Sequence, residues 1–182
     1  RPVKFTATPL AGAYVVALEP HSDPRGFFAR VWSVEEFAAQ GLDPRISQTS
    51  LSHNLRRGTL RGMHWQAAPH AETKLVRCER GALYDVIVDL RPGSPTYTHA
   101  FGMHLTAAEH NALYIPEGFA HGFQTLEDDT VVYYQMTTPY VPAAGRGARW
   151  NDPAFGITWP VPDPLLIQRD RDYPDFVPER RP

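Results

Sequence analysis

The chain alternates between short apolar runs and turn-forming residues. Its 18 prolines and 13 glycines cut it into brief segments. Proline disfavours helix interiors, and clusters of glycine and proline mark turns. Between these marks lie runs rich in Val, Ile, Leu, Tyr, Phe and Thr: Ala13–Leu18, Lys74–Cys78, Leu83–Leu90, Ala112–Ile115 and Thr130–Met136. Such runs read as strands, and their steady recurrence as a sandwich or barrel. Alternation assigns their faces. Leu83, Asp85, Ile87 and Asp89 share one face, and Tyr84, Val86, Val88 and Leu90 the other, as in a half-buried strand. Lys74 and Val76 face one way, Leu75 and Arg77 the other. Tyr133 and Tyr134 are neighbours, so only one of them can look into a barrel.

One helix is legible. Ser33-Val34-Glu35-Glu36 has the form of a capping box, Phe37 and Ala38 follow, and Gly41 ends it. The segment Trp159–Pro182 is rich in proline and charge, yet Leu165, Leu166, Ile167 and Tyr173 give it something to bury. It reads as an arm or lid packed on the barrel. The expected organisation is one domain over residues 1–182, with N-terminal strands over roughly 1–30 and the C-terminal arm over 160–182.

Composition narrows the class. A chain of 182 residues and 20.5 kDa is long enough for a sizeable core. Its net charge of −2 offers no basic field to recruit nucleic acid or a membrane. No apolar run approaches the roughly 20 residues that span a bilayer, and Arg1–Leu10 lacks a signal-peptide core. The single cysteine, Cys78, excludes an internal disulfide and reads as a small buried strand residue. Together these features favour the cytoplasm.

Two segments carry candidate chemistry: Gly58-Thr59-Leu60-Arg61-Gly62-Met63-His64-Trp65-Gln66 and Ile115-Pro116-Glu117-Gly118-Phe119-Ala120-His121-Gly122-Phe123. Each sets one histidine close to turn glycines, where a histidine taken alone is more often structural or surface than catalytic. The pair resembles the two halves of the cupin pattern. Gly58 and His64 keep the first-half spacing, but Gln66 stands where metal-binding cupins have a second histidine, and no glutamate follows. The second half is complete through His121. Two ligands are too few for a tight transition-metal site, so a metal-free cupin is expected. His64 is then free to accept a proton near neutral pH. Lys74, ten residues on, lies either beside that base after a hairpin return or on the solvated surface. Two or three of Arg25, Arg56, Arg57, Arg61 and Lys74, set in a barrel mouth, could hold a pyrophosphate by bidentate and charge contacts. There is no glycine-rich phosphate loop.

Taken in order, six segments resemble the dTDP-4-dehydrorhamnose 3,5-epimerase family. They are Asp23-Pro24-Arg25-Gly26-Phe27-Phe28, Gly58 to His64, Lys74 to Cys78, Tyr84 to Arg91, Ile115 to Phe123, and Trp150-Asn151-Asp152-Pro153. The resemblance implies an all-β, cupin-type jelly-roll barrel with a few short helices. It implies epimerisation of a nucleotide-linked 4-keto-6-deoxy sugar at C3, and at C5 in double epimerases, with no cofactor and no metal. It places His64 on the general base, Asp170 on the carboxylate that orients it, Tyr134 on the proton donor and Lys74 on the cation facing the 4-keto oxygen. Arg25, Phe28, Gln48, Arg61, His121 and Arg169 fall on substrate-binding positions. It further implies a homodimer that exchanges an N-terminal strand, with aromatic stacking on the base.

Three positions depart from the family pattern. Arg30 stands where a glutamate is common, Ser50 replaces the asparagine of a Gln-x-Asn motif, and an acidic contact near Gly145 is missing. Base, donor and cation are kept while the rim is altered. Two other readings use the same residues: a 3,4-ketoisomerase, and a non-catalytic cupin that binds sugar nucleotides.

Overall fold

The computed structural model describes residues 2–179. In chain order the strands are β1 (Lys4–Ala7), β2 (Tyr14–Ala17), β3 (His21–Asp23), β4 (Gly26–Phe28), β5 (Gln48–Asn54), β6 (Leu60–Gln66), β7 (Lys74–Arg80), β8 (Ala82–Asp89), β9 (Ala100–Thr106), β10 (Ala112–Ile115), β11 (Phe119–Thr125), β12 (Thr130–Met136) and β13 (Gly145–Gly147). Two short helices, α1 (Val34–Ala39) and α2 (Gln168–Arg171), complete the set with one 3₁₀ turn at Pro142–Ala144. One sheet runs β1-β2-β10-β7-β12-β5, the other β13-β6-β11-β8-β9, and β3-β4 form a separate hairpin. The named strand pairs are all antiparallel. This is the cupin-type jelly roll that the resemblance implies.

The two sheets close on a core that includes Val76, Leu83, Ile87, Leu113, Phe123 and Val132, every one of them nearly inaccessible. Each such side chain contributes about 1.5–3 kcal/mol by leaving water. The outer faces are covered as well. Phe37 of α1 packs with Val16, Leu75 and Tyr114 on the back of the six-stranded sheet. Phe155, Trp159 and Phe176 of the C-terminal segment pack with Met63, Val86 and Val88 on the back of the other. Strand β8 is therefore buried on both faces, where alternation alone reads half-buried.

The C-terminal arm is fastened by named bonds. Asp152, 2% exposed, accepts the amides of Ala154 and Phe176 at 2.9 and 2.7 Å. That accounts for the Trp150–Pro153 motif. Leu165 exchanges backbone bonds with Gly58 and Leu60, and the Gln124 side chain bonds both backbone groups of Val161. The helix α1 forms where read, but the capping box does not. Ser33 makes no side-chain cap, and Glu36 turns to Arg30 at 3.1 Å. Cys78 is buried in the core, its thiol pushed up to about 11 by burial.

Candidate active site

A cavity of about 1190 Å³ is lined by β5, β6, β7, β11, β12, the 140–146 loop and the C-terminal arm. It exceeds the roughly 300–1,000 Å³ of common small-ligand pockets and has room for a nucleotide-sized molecule. His64 and His121 enter from the five-stranded sheet, Lys74 and Tyr134 from the six-stranded one. An imidazole and a phenol thus stand on facing walls.

The sequence brings the two histidines side by side. His64 and His121 are direct partners across β6 and β11. Beside them the strands approach so closely that a Cβ on Gly62 would lie 2.6 Å from the Cα of Gly122, and Gly62 has φ +130°. Glycine at both positions is a steric requirement.

His64 Nε2 lies 2.8 Å from Asp170 Oδ1, and the Gly62 amide donates to the other carboxylate oxygen at 3.2 Å. Asp170 is 2% exposed, while the His64 side chain is 31% exposed. Burial pushes the Asp170 carboxyl up. The His64 hydrogen bond and charge, the Gly62 amide and the Arg169 guanidinium outweigh that and leave it below the usual carboxylate range. A carboxylate so held fixes which ring nitrogen carries the proton and how the ring is turned. Tyr173 stands edge-on to His64 at 6.3 Å, packed where Gly147 has no side chain.

His121 Nε2 lies 2.7 Å from Asp85 Oδ1, and this second pair is buried throughout, at 5% and 0% exposure. Tyr134 meets His121 edge-on at 6.3 Å. Burial, then the Asp85 charge, push the Tyr134 phenol well up, against the Arg61 charge and the Ser52 hydroxyl. The phenol therefore holds its proton at neutral pH. Lys74 is 13% exposed and pairs with Glu72 at 3.2 Å, so it is no surface lysine. Arg61 Nε donates to Asn54 Oδ1 at 2.8 Å. Gln48 accepts the Tyr140 amide at 2.8 Å.

Among the described residues no three His, Cys, Asp or Glu side chains group to hold a metal ion. Gln66, in the place of a cupin histidine, is buried and spends its amide on the His70 and Pro139 carbonyls and the Val141 amide. The donor set does not fit a resident metal.

His64, Asp170, Tyr134, Lys74, Gln48, Arg61, His121 and Arg169 all line the one cavity. Arg25 and Phe28 do not. They sit on the β3–β4 hairpin, Arg25 paired to Asp23 at 2.7 Å and Phe28 78% exposed. Of the other basic residues, Arg56 joins the cavity while Arg57 bonds Asp128 and Leu126 instead. Asp85, Glu72, Arg146 and Tyr173 join the site without a motif that marks them. Asp85 had a signal: it shares a strand face with Leu83 and Ile87, an inward-facing carboxylate among core residues.

Fold and site together define a cupin-type barrel whose interior is equipped for proton transfer. A family model described as dTDP-4-dehydrorhamnose 3,5-epimerase matches residues 7–177. A dTDP-4-dehydrorhamnose 3,5-epimerase of Sinorhizobium fredii is 40% identical over 94% of this chain and 89% of its own. A dTDP-4-dehydrorhamnose 3-epimerase of Streptomyces niveus is also 40% identical, over 90% of this chain and 79% of its own. The crystal structure of the Bacillus anthracis 3,5-epimerase with TDP and pyrophosphate bound superposes with a TM-score of 0.93 at 38% identity, covering 96% of this chain and 100% of that one. The chain belongs to the dTDP-4-dehydrorhamnose 3,5-epimerase family.

Proposed function

We propose that this chain epimerises a dTDP-linked 4-keto-6-deoxy sugar by removing a proton beside the ketone and returning one from the opposite face. The observation that carries this is the placing of the His64–Asp170 pair and the Tyr134 phenol on facing walls of one cavity. His64 takes the proton from C3, and the electron pair of that C–H bond moves toward the C4 oxygen. Lys74, its ammonium held by Glu72, meets the charge that grows on that oxygen. Tyr134 then gives its proton to the other face of C3. The two side chains exchange their protons with water, and no redox step is needed. Arg61 and Arg169 supply fixed positive charge for the pyrophosphate.

Arg25 and Phe28 fit this reading through a second copy of the chain. Phe27, Phe28, Val31 and Val34 are exposed apolar side chains on and after the hairpin. A homodimer would cover them and carry Arg25 and Phe28 toward the partner's cavity. The net charge of −2, and the lack among the described residues of a helix long and apolar enough to cross a membrane, accord with a cytoplasmic enzyme acting on a small molecule.

Incubation with dTDP-4-keto-6-deoxyglucose in deuterated water, followed by NMR, tests the reading. Deuterium at C3 with inversion supports it, and deuterium at C5 as well makes the chain a double epimerase. A product whose ketone has moved to C3 would show a ketoisomerase. Tight binding without any exchange would show a binding protein.

A further inference from the structure

Asp85 is a buried carboxylate that the proposed chemistry does not use. It lies on β8 between Leu83 and Ile87 on the same strand face, and all three are 0% exposed. One oxygen meets His121 Nε2 at 2.7 Å, and the other, Oδ2, has no hydrogen-bond partner. A well-packed apolar side chain would serve folding better than a half-satisfied buried charge. The carboxylate therefore points to a task beyond packing, and the one side chain it bonds is a cavity residue. The two histidines on this wall differ. His64 is 31% exposed and lines the cavity with Asp170 behind it. His121 is 5% exposed and locked between Asp85 and the Tyr134 ring.

We propose that Asp85 is a positioning residue which, acting through His121, holds that ring with Nε2–H turned into the core and Nδ1 turned to the cavity, as a hydrogen-bond acceptor for a hydroxyl of the bound sugar. The identity of the hydroxyl's owner rests on the epimerase reading. The ring orientation does not. With Nε2 committed to Asp85, the other nitrogen is the group His121 offers to the cavity it lines. A ring fixed in this way aligns the sugar for His64 without taking part in the proton transfer.

The test is nitrogen-15 NMR of the histidine rings in the full chain at the pH of the assay, with the His121 signals identified by their loss in His121→Gln. The expected spectrum has a proton on Nε2 of His121 and none on Nδ1. In Asp85→Asn the amide can donate to Nε2, so the proton is expected to move to Nδ1. With it kcat/KM should fall about ten- to a hundredfold, while the melting midpoint stays level or rises because an unsatisfied buried charge is gone. A purely structural Asp85 would show the reverse: lower stability, an unmoved ring proton and retained kcat/KM. That result, or a wild-type ring protonated on Nδ1, overturns the proposal. Should the wild-type chain place no deuterium on C3, the epimerase reading fails, and the ring spectrum still decides the Asp85–His121 assignment.

Discussion

Asp170 carries two burdens that can be separated. Its carboxyl is held below the usual range in the folded chain, so the folded state binds that proton less readily than the unfolded state. The stabilisation this gives is complete above the ordinary carboxylate pKa of about 4 and is lost as pH falls through the lowered value. Denaturant unfolding of wild type and Asp170→Asn should therefore differ more at neutral pH than in acid; a gap that does not narrow in acid removes this account of the residue. Catalytically, the same variant leaves His64 without its orienting carboxylate. Tyr134→Phe is expected to keep deuterium uptake at C3 but slow inversion. Equal loss of both would mean that Tyr134 does more than return the proton. Residue by residue, the site is legible where a motif holds the side chain, as for His64 and His121; Lys74, whose spacing leaves it open, is placed by the family resemblance alone. The site is not legible where partnership is a matter of three dimensions. Tyr173 beside His64 has no spacing that announces it, and Glu72, two residues before Lys74, lies just ahead of the strand whose alternation would pair them.

The element that matters most to the site is the C-terminal arm, because it delivers Asp170. Two part-buried contacts set its course. Asp152→Ala strips the Ala154 and Phe176 amides of their acceptor, and these groups, reached in part by water, then cost less than the roughly 1–3 kcal/mol of a fully buried unpaired group. Limited proteolysis is expected to cut this variant first after residue 159, and uniform cleavage would contradict the role. Gly147→Ala would bring a Cβ within 2.1 Å of the Tyr173 ring. The ring must leave its place edge-on to His64, and kcat/KM should drop with little change in melting midpoint. The arm is legible in its apolar residues, although Leu166 is buried while Leu165 and Ile167 are exposed, and the strands are legible in their alternation. The half-buried pattern expected of β8 does not hold because a strand covered on its outer face by that arm has no solvent side to display. The expected capping box does not form, and Glu36 pairs with Arg30 instead.

At the scale of the whole molecule, the jelly roll turns two sheets into two chemical walls, one bearing the histidines and the other the lysine and the phenol. The hairpin with Arg25 and Phe28 stands outside this arrangement. Light scattering is expected to give twice the 20.5 kDa of one chain, and Phe28→Asp to shift it toward the monomer with loss of activity. An active monomer would remove the hairpin from the proposed site. The central claim, however, is that one imidazole removes the sugar's proton. It is tested most directly by following deuterium entry at C3 of the 4-keto sugar with His64→Ala. The expected result is a loss of about a hundred- to ten-thousandfold in exchange rate with the nucleotide still bound; exchange at the wild-type rate would contradict it.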